Sequence, residues 1–237
     1  MKYINNPKIK LMAVTALSAA MFASTPLVAG TEAGDILVRA RVINIAPDVS
    51  SDDIKLNDGT SLGIGVDVDD AATLDVDITY MYTKNFGVEL LLAIPAKHDV
   101  TVDGTKVGDV TVLPPALIAQ WHFMPSNNIR PYAGAGINYT FFFSEETTSD
   151  LTAGLDDIVS GGAGAVTSSG LDVDDAFGLV AQAGVDIDIN KDWYINFDAK
   201  YIALDTTATI SANGSKAATV DFDLNPWVFG VGVGTKF

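Results

Sequence analysis

The sequence predicts an all-β chain: an eight-stranded antiparallel transmembrane β-barrel with short periplasmic turns and long extracellular loops. Three observations carry this. Eight stretches of about ten residues alternate apolar and polar side chains, the strand length of a small membrane barrel. The connections between them alternate short and long. After residue 30 no stretch approaches the ~20 apolar residues of a membrane helix, although 48% of the chain is hydrophobic and its mean hydropathy is +0.26. If the mature chain enters a bilayer it must do so as strands, because lipid offers no partner for unpaired backbone groups.

The N-terminus reads as a targeting segment. "MKYINNPKIK" carries Lys2, Lys8 and Lys10, and "LMAVTALSAAMFASTPLVAG" follows as an apolar run ending in small residues. Basic, then apolar, then small is the layout of a secretory signal peptide. Residues 1–30 are therefore assigned to the signal, with the cut near Ala29 to Thr31, and 31–237 to the barrel. An uncleaved anchor helix is disfavoured by Pro26 and by the lack of a basic stop-transfer flank. Cleavage leaves 11 basic against 30 acidic side chains, a formal charge of −19. Such a surface repels nucleic acid. With no cysteine, the chain needs no disulfides and has no thiol metal site.

The strands follow in order. "DILVRARVINIAP" sets Ile36, Val38, Ala40 and Val42 opposite Leu37, Arg39, Arg41 and Ile43. "ATLDVDITYMYT" sets Leu74, Val76, Ile78, Tyr80 and Tyr82 opposite Thr73, Asp75, Asp77 and Thr79. "NFGVELLLAIP" and "ALIAQWHF" continue the scheme, with Gly87 and Glu89, then Gln120 and His122, on the second face. "PYAGAGINYTFFF", "AFGLVAQAGVDID" and "DWYINFDAKYIAL" place Gly134, Gly136 and Asn138, then Gly178, Gln182, Gly184 and Asp186, then Asn196, Asp198 and Lys200 there. The last strand, "PWVFGVGVGTKF", alternates Trp227, Phe229, Val231 and Val233 with Gly230, Gly232 and Gly234. Glycine on the lumen face lets a narrow wall curve inward over crowded side chains. This strand looks superficially like a phosphate loop, but it lacks the spacing and no helix can follow it.

Alternation alone does not say which face is inside. The connections decide. Residues 83–85, 124–129 and 189–192 are short, whereas 47–71, 96–109, 144–174 and 205–220 are long and rich in Asp, Ser, Thr and Gly. Tyr80, Tyr82, Phe86, Trp121, Phe123, Tyr132, Trp193 and Tyr194 cluster near the short-turn end and read as an interfacial girdle. A soluble lipocalin-like barrel fits the strand number but neither the loop asymmetry nor the girdle. The uniformly apolar face is thus expected to meet lipid.

Four stretches together resemble the outer membrane protein W family, which includes alkane-uptake barrels: "AGDILVRARVINIAP", "ELLLAIPAKHDV", "LPPALIAQWHF" with "IRPYAGAGINYT", and "WVFGVGVGTKF". The resemblance implies an eight-stranded barrel of the cell outer membrane that passes small hydrophobic molecules inward. Phe237 looks like the terminal signal read by the outer-membrane assembly machinery. The 144–174 loop fits no family pattern.

Two sets of residues are candidates for function. Arg39, Arg41, Asp75, Asp77 and Glu89, with Asp198 and Lys200 on a later strand, share inward parity and form a charge belt. The register counted outward from the short turn at 83–85 sets Glu89 level with Thr79, and a hairpin top near 46 and 72 sets Arg41 level with Asp77 and Arg39 level with Thr79. Ions in a narrow lumen must pair, so the belt is expected to be a salt-bridged plug rather than a conduction path. The second set is Pro95, Pro114 and Pro115, which face each other across one hairpin on the long-loop side. Proline cannot donate to a ladder, so this seam is the expected lateral gate, through which an apolar solute leaves the barrel sideways into lipid. Prolines that merely end strands are the bland alternative.

The acidic repeats "DVDD" at 67–70 and 172–175 read as solvated strand ends rather than calcium or magnesium sites, for neither has a calcium-loop spacing. No cofactor and no metal is expected. His98-Asp99 lies near the outer rim and His122 points inward; with no further acidic partner or cleft in evidence, they make a weak case for hydrolase or acyltransferase chemistry. The expected partners are membrane lipid and lipopolysaccharide, the assembly machinery and small hydrophobic solutes. A structural or adhesive small barrel with no transport activity is the competing reading.

Overall fold

The structure, a computed structural model, describes residues 30–237. The assignment of a signal peptide to 1–30 falls on residues outside this range, apart from Gly30. The strands are β1 (Ile36–Ala46), β2 (Ser50–Ser51), β3 (Lys55–Leu56), β4 (Asp67–Val68), β5 (Ala71–Met81), β6 (Phe86–Ala93), β7 (Ala96–Val102), β8 (Thr105–Leu113), β9 (Ala116–His122), β10 (Ile129–Thr147), β11 (Ser169–Val173), β12 (Ala176–Asp188), β13 (Trp193–Ala203), β14 (Asp205–Ala212), β15 (Ser215–Asp223) and β16 (Trp227–Lys236). A helix, α1 (Ser149–Ser160), follows β10.

Among the described residues, eight strands close an antiparallel barrel in the order β1-β5-β6-β9-β10-β12-β13-β16, and β16 returns to pair with β1. The chain ends inside this closure, where Phe237 and Ile36 exchange both backbone hydrogen bonds at 2.9 Å. Orientation follows the expectation. Ile78, Phe197 and Val231 stand exposed on the outer wall, and Arg41 and Asp77 are buried in the lumen. In water so broad an apolar band would be untenable; in a bilayer it is the solvated surface.

Three details of the expectation are corrected. The β1–β5 register is two residues off, so Arg39 is level with Asp77 and Arg41 with Asp75. The hairpin top lies at Ile45 and Ala71 rather than 46 and 72; because the slip is even, every side chain keeps its face. Glu89 is level with Thr79 as expected.

Tyr132 and Tyr194 do not belong to the girdle. They point into the lumen and are almost wholly buried, as their own strand parity requires. Tyr80, Tyr82, Trp121, Phe123 and Trp193 do line the outer wall at the short-turn end. A second outward aromatic group, Tyr139, Phe141, Phe177, Trp227 and Phe229, stands near the opposite end.

The long connections are also not plain loops. β7 and β8 form a hairpin above the barrel, flanked by β4 and by the upper half of β10. β14 and β15 form a second, flanked by β11 on one side and β2 and β3 on the other. The turns explain both. Asp103-Gly104 (φ 48° and 77°) and Asn213-Gly214 (φ 50° and 76°) are left-handed at both positions, the conformation that tight two-residue hairpins require. α1 packs on β8 and β11, capped by Thr148 at its start and by left-handed Gly161 (φ 69°) at its end.

Candidate functional site: a charged belt beneath an apolar cavity

The lumen is built in two tiers. The lower tier is polar. Arg39 donates to Asp77 at 2.8 Å, to Thr79 at 3.0 Å and to both oxygens of Asp186 at 3.0 and 3.2 Å. Arg41 grips Asp75 with two hydrogen bonds, 2.9 and 2.7 Å, and reaches Asp77 at 2.9 Å. Two-pronged arginine–carboxylate pairs of this kind fix geometry as well as charge. Glu89 accepts from Gln120 at 2.6 Å and from Gln182 at 3.1 Å. Lys200 pairs with Asp198, which also accepts from Tyr132 and Gln182 at 2.8 Å each. The seven belt residues expected from parity thus come together in one network.

Sequence reasoning missed several members. Asp186, Gln120, Gln182 and Asn196 were visible on the polar faces of their strands, but nothing local set their height in the barrel. Asn196 bridges Tyr132 and Asp186 at 2.9 and 2.8 Å. Tyr132 also lies beside the Arg39 guanidinium, 5.1 Å from its ring centre. Below the belt Arg130 pairs with Asp188. His122 stacks on Tyr132 at 5.1 Å and faces Gln120 at 3.3 Å.

The lumen glycines belong to the same packing. A methyl group on Gly184 would strike the Tyr132 ring, one on Gly234 the Tyr194 ring, and one on Gly232 the backbone and side chain of the adjacent β1 at Ala40 and Arg41. The alternation of β16 is therefore dictated by aromatic and arginine side chains that already fill the space.

The upper tier is apolar. Ile43, Ile45, Leu91, Ile118, Val180, Ile202 and Val228 form a buried layer above the belt. Over it opens a cavity of about 190 Å³, walled by Ile, Leu and Val from β3, β4, β7, β8, β11, β14 and β15 and by Leu151, Leu155 and Ile158 of α1. Pro114 is part of its wall. At that height the seam between the third and fourth barrel strands is broken. The β6–β9 ladder stops at Leu91 and Ala116, and β7–β8 pairing resumes at Ala96 and Val112. Pro95, Pro114 and Pro115 sit in the interruption, while each flank stays bonded to its other neighbour: the Ile94 amide donates to the Leu74 carbonyl at 2.8 Å and the Tyr139 amide to the Pro115 carbonyl at 3.1 Å.

The remaining candidates resolve differently. His98 and Asp99 do not form a pair: Asp99 turns outward to Lys106 at 2.7 Å, and His98 Nδ1 meets the Asp69 carbonyl at 2.8 Å. Adjacent residues of a strand face opposite ways. Asp175 accepts from the Phe142 amide at 3.0 Å, tying the start of β12 to β10. Among the described residues no cluster of histidine, aspartate or glutamate is arranged to hold a metal ion.

A closed eight-stranded barrel with its apolar face outward, a paired polar lumen and tall strand extensions at one end is a specific combination. The OmpW family model matches residues 32–237. The chain belongs to the OmpW family. It is 36% identical over 226 residues to outer membrane protein W of Vibrio cholerae, covering 92% of this chain and 95% of that one. The crystal structure of the outer membrane protein OprG from Pseudomonas aeruginosa superimposes with a TM-score of 0.78 at 35% identity, covering 89% of this chain and 99% of that one. A more distant relative, the dibenzothiophene metabolism operon protein PahQ of Pseudomonas aeruginosa, is 27% identical over 203 residues, 84% of this chain and 87% of that one. OmpW-family proteins are outer-membrane barrels of Gram-negative bacteria, and the outer membrane is where this protein resides.

Proposed function

We propose that the protein is a channel for passive uptake of small hydrophobic molecules, which leave through the barrel wall into the outer membrane. The observation that carries this reading is the cavity: an apolar chamber of about 190 Å³ that stands above a belt of buried, paired ions and has Pro114 of the broken seam in its side. A dry cavity of ~150 Å³ accepts a benzene ring, so this one is large enough for a single apolar solute. A solute entering among the strand extensions finds no passage down through the belt, because each step would have to part buried ion pairs. The weakly bonded seam at Pro95, Pro114 and Pro115 is the sideways exit. The name of PahQ links that relative to the metabolism of an apolar aromatic heterocycle, which agrees with such cargo. A purely structural or adhesive barrel has no need of an apolar chamber and would be better served by a lumen packed end to end.

The belt acts in this scheme as a plug. Phe237, 75% exposed at the terminus of β16, is proposed as the signal read by the assembly machinery, and the outer wall as the surface for lipid and lipopolysaccharide. The test is uptake of n-octane and naphthalene by cells with the protein, without it, and with Pro114→Val/Pro115→Thr. Uptake is expected to rise with the native protein and to fall severalfold in the variant, whose strands can zip the seam. Equal uptake by cells with and without the protein overturns transport; equal uptake by native and variant proteins overturns the lateral exit.

A further inference from the structure

The apolar cavity has one anomaly in its wall. His98, on β7, is only 2% exposed, yet its side chain lines the chamber among isoleucines, leucines and valines. Its Nδ1 lies 2.8 Å from the Asp69 carbonyl, and a carbonyl oxygen only accepts, so Nδ1 carries the proton. In the neutral ring Nε2 is then a bare acceptor, and it has no hydrogen-bond partner among the described residues. Burial pushes the imidazole below its ordinary range against the opposing pull of Asp69, Asp70 and Asp99, so the ring is neutral at neutral pH. The other polar side chains on the wall are differently placed. The Thr140 hydroxyl donates to Asn138 at 2.7 Å, and Asp150 is exposed at the first turn of α1.

We propose that His98 Nε2 is a recognition point for cargo, and that the chamber selects apolar molecules bearing a single hydrogen-bond donor, such as a phenol or an alcohol. This rests on the transport reading above and narrows its substrate class. The argument is one of desolvation. A hydroxyl carried into a wholly apolar cavity loses its bonds to water and is penalised. The same hydroxyl placed against a bare imidazole nitrogen recovers a bond, and that nitrogen, on a side chain that lines the chamber, gains a partner. A purely hydrocarbon solute receives neither benefit.

The test compares p-cresol with p-xylene, which differ by a hydroxyl against a methyl, for binding to the purified full barrel in lipid nanodiscs. Native protein and His98→Phe are measured side by side, so that differences in water and lipid partitioning cancel in the ratio. The cresol-to-xylene affinity ratio is expected to fall roughly two- to tenfold in His98→Phe, the range of one hydrogen bond. An unchanged ratio overturns the proposal, and so does failure of the native barrel to bind either probe. If His98→Phe fails to fold, native protein with ¹⁵N-labelled histidine decides alone. The chain has two histidines, and the Nε2 resonance of His98 is expected to move on adding p-cresol and not p-xylene; an equal response to both overturns the proposal. Binding with the expected ratio in nanodiscs but no uptake by cells would refute transport while leaving His98 as a recognition residue.

Discussion

At the scale of single residues, charge inside this barrel is tolerable because each guanidinium is shared. Arg39 serves Asp77 and Asp186 from opposite sides of the lumen, and Arg41 serves Asp75 and Asp77 from one side. Removing Arg39 therefore takes that cation from Asp186 and leaves Asp77 to Arg41 alone, among side chains with no exposure to solvent. Arg39→Ala is expected to destabilise the folded barrel by about 3–5 kcal/mol, the usual cost of orphaning a buried ion. Val42→Ala, on the exposed outer face of the same strand, trims a lipid contact and leaves no ion unpaired, so it should cost less. Urea unfolding in lipid vesicles measures both; equal losses would mean that the belt carries no special share of the stability. The identities of the belt residues were legible in the sequence, because parity alone places Arg39, Arg41, Asp75, Asp77, Glu89, Asp198 and Lys200 indoors. Their partners were not. Asp186 meets Arg39 across the barrel, 147 positions along the chain, and no period-two pattern encodes distances through the lumen.

At the scale of elements, the eight spanning strands were legible and their extensions were not. The spanning strands announce themselves because lipid demands an apolar side chain at every second position. The extensions face water, so β14 and β15 alternate Thr, Ser and Asp with Ala, Ile and Val, and they read as polar loop. The signal that could have found them is the pair of turns Asp103-Gly104 and Asn213-Gly214, the dipeptides that tight two-residue hairpins favour. α1 was hidden for a different reason: its sequence carries three Asp, two Ser and a Gly, all poor helix formers, and it is held from outside. Past its C-terminus the Asp156 carboxylate accepts from the Ser160 hydroxyl at 2.6 Å and from the amides of Gly164 and Val166 at 2.8 and 2.9 Å. These bonds, the Ser160 hydroxyl first, hold the carboxyl down to about 2, below its ordinary value of 3.8. A depressed carboxyl lends its stabilisation above the ordinary value and loses it as pH falls through about 2. Asp156→Ala should therefore lower hydrogen-exchange protection at Gly164 and Val166 at pH 6 while leaving the barrel amides unchanged. The native protein should lose that same protection below about pH 2. Protection that survives the substitution would show that the segment after α1 is held by something other than this carboxylate.

At the scale of the whole molecule, the two tiers impose a direction. On the proposed route an apolar solute gains by entering the chamber and gains again by reaching lipid, but it gains nothing from the belt, whose ions are already paired. Opening the belt should then affect water and ions without helping the cargo. Gln120→Ala with Gln182→Ala and Tyr132→Ala removes the glutamine bridge between Glu89 and Asp198 and the tyrosine bridge between Asp198 and Asn196, leaving Lys200 as the link between the two carboxylates, while the chamber and the proline seam stay intact. In planar bilayers the native barrel is expected to show almost no ion conductance and the triple variant discrete open levels. In cells the same variant should take up naphthalene at the native rate. If the cargo instead travelled straight down the axis, the widened lumen would raise naphthalene uptake together with conductance, and the sideways route would have to be given up. The two readouts separate the routes because ions need a continuous wet path through the belt, whereas a solute that left by the proposed exit at Pro114 would never meet it.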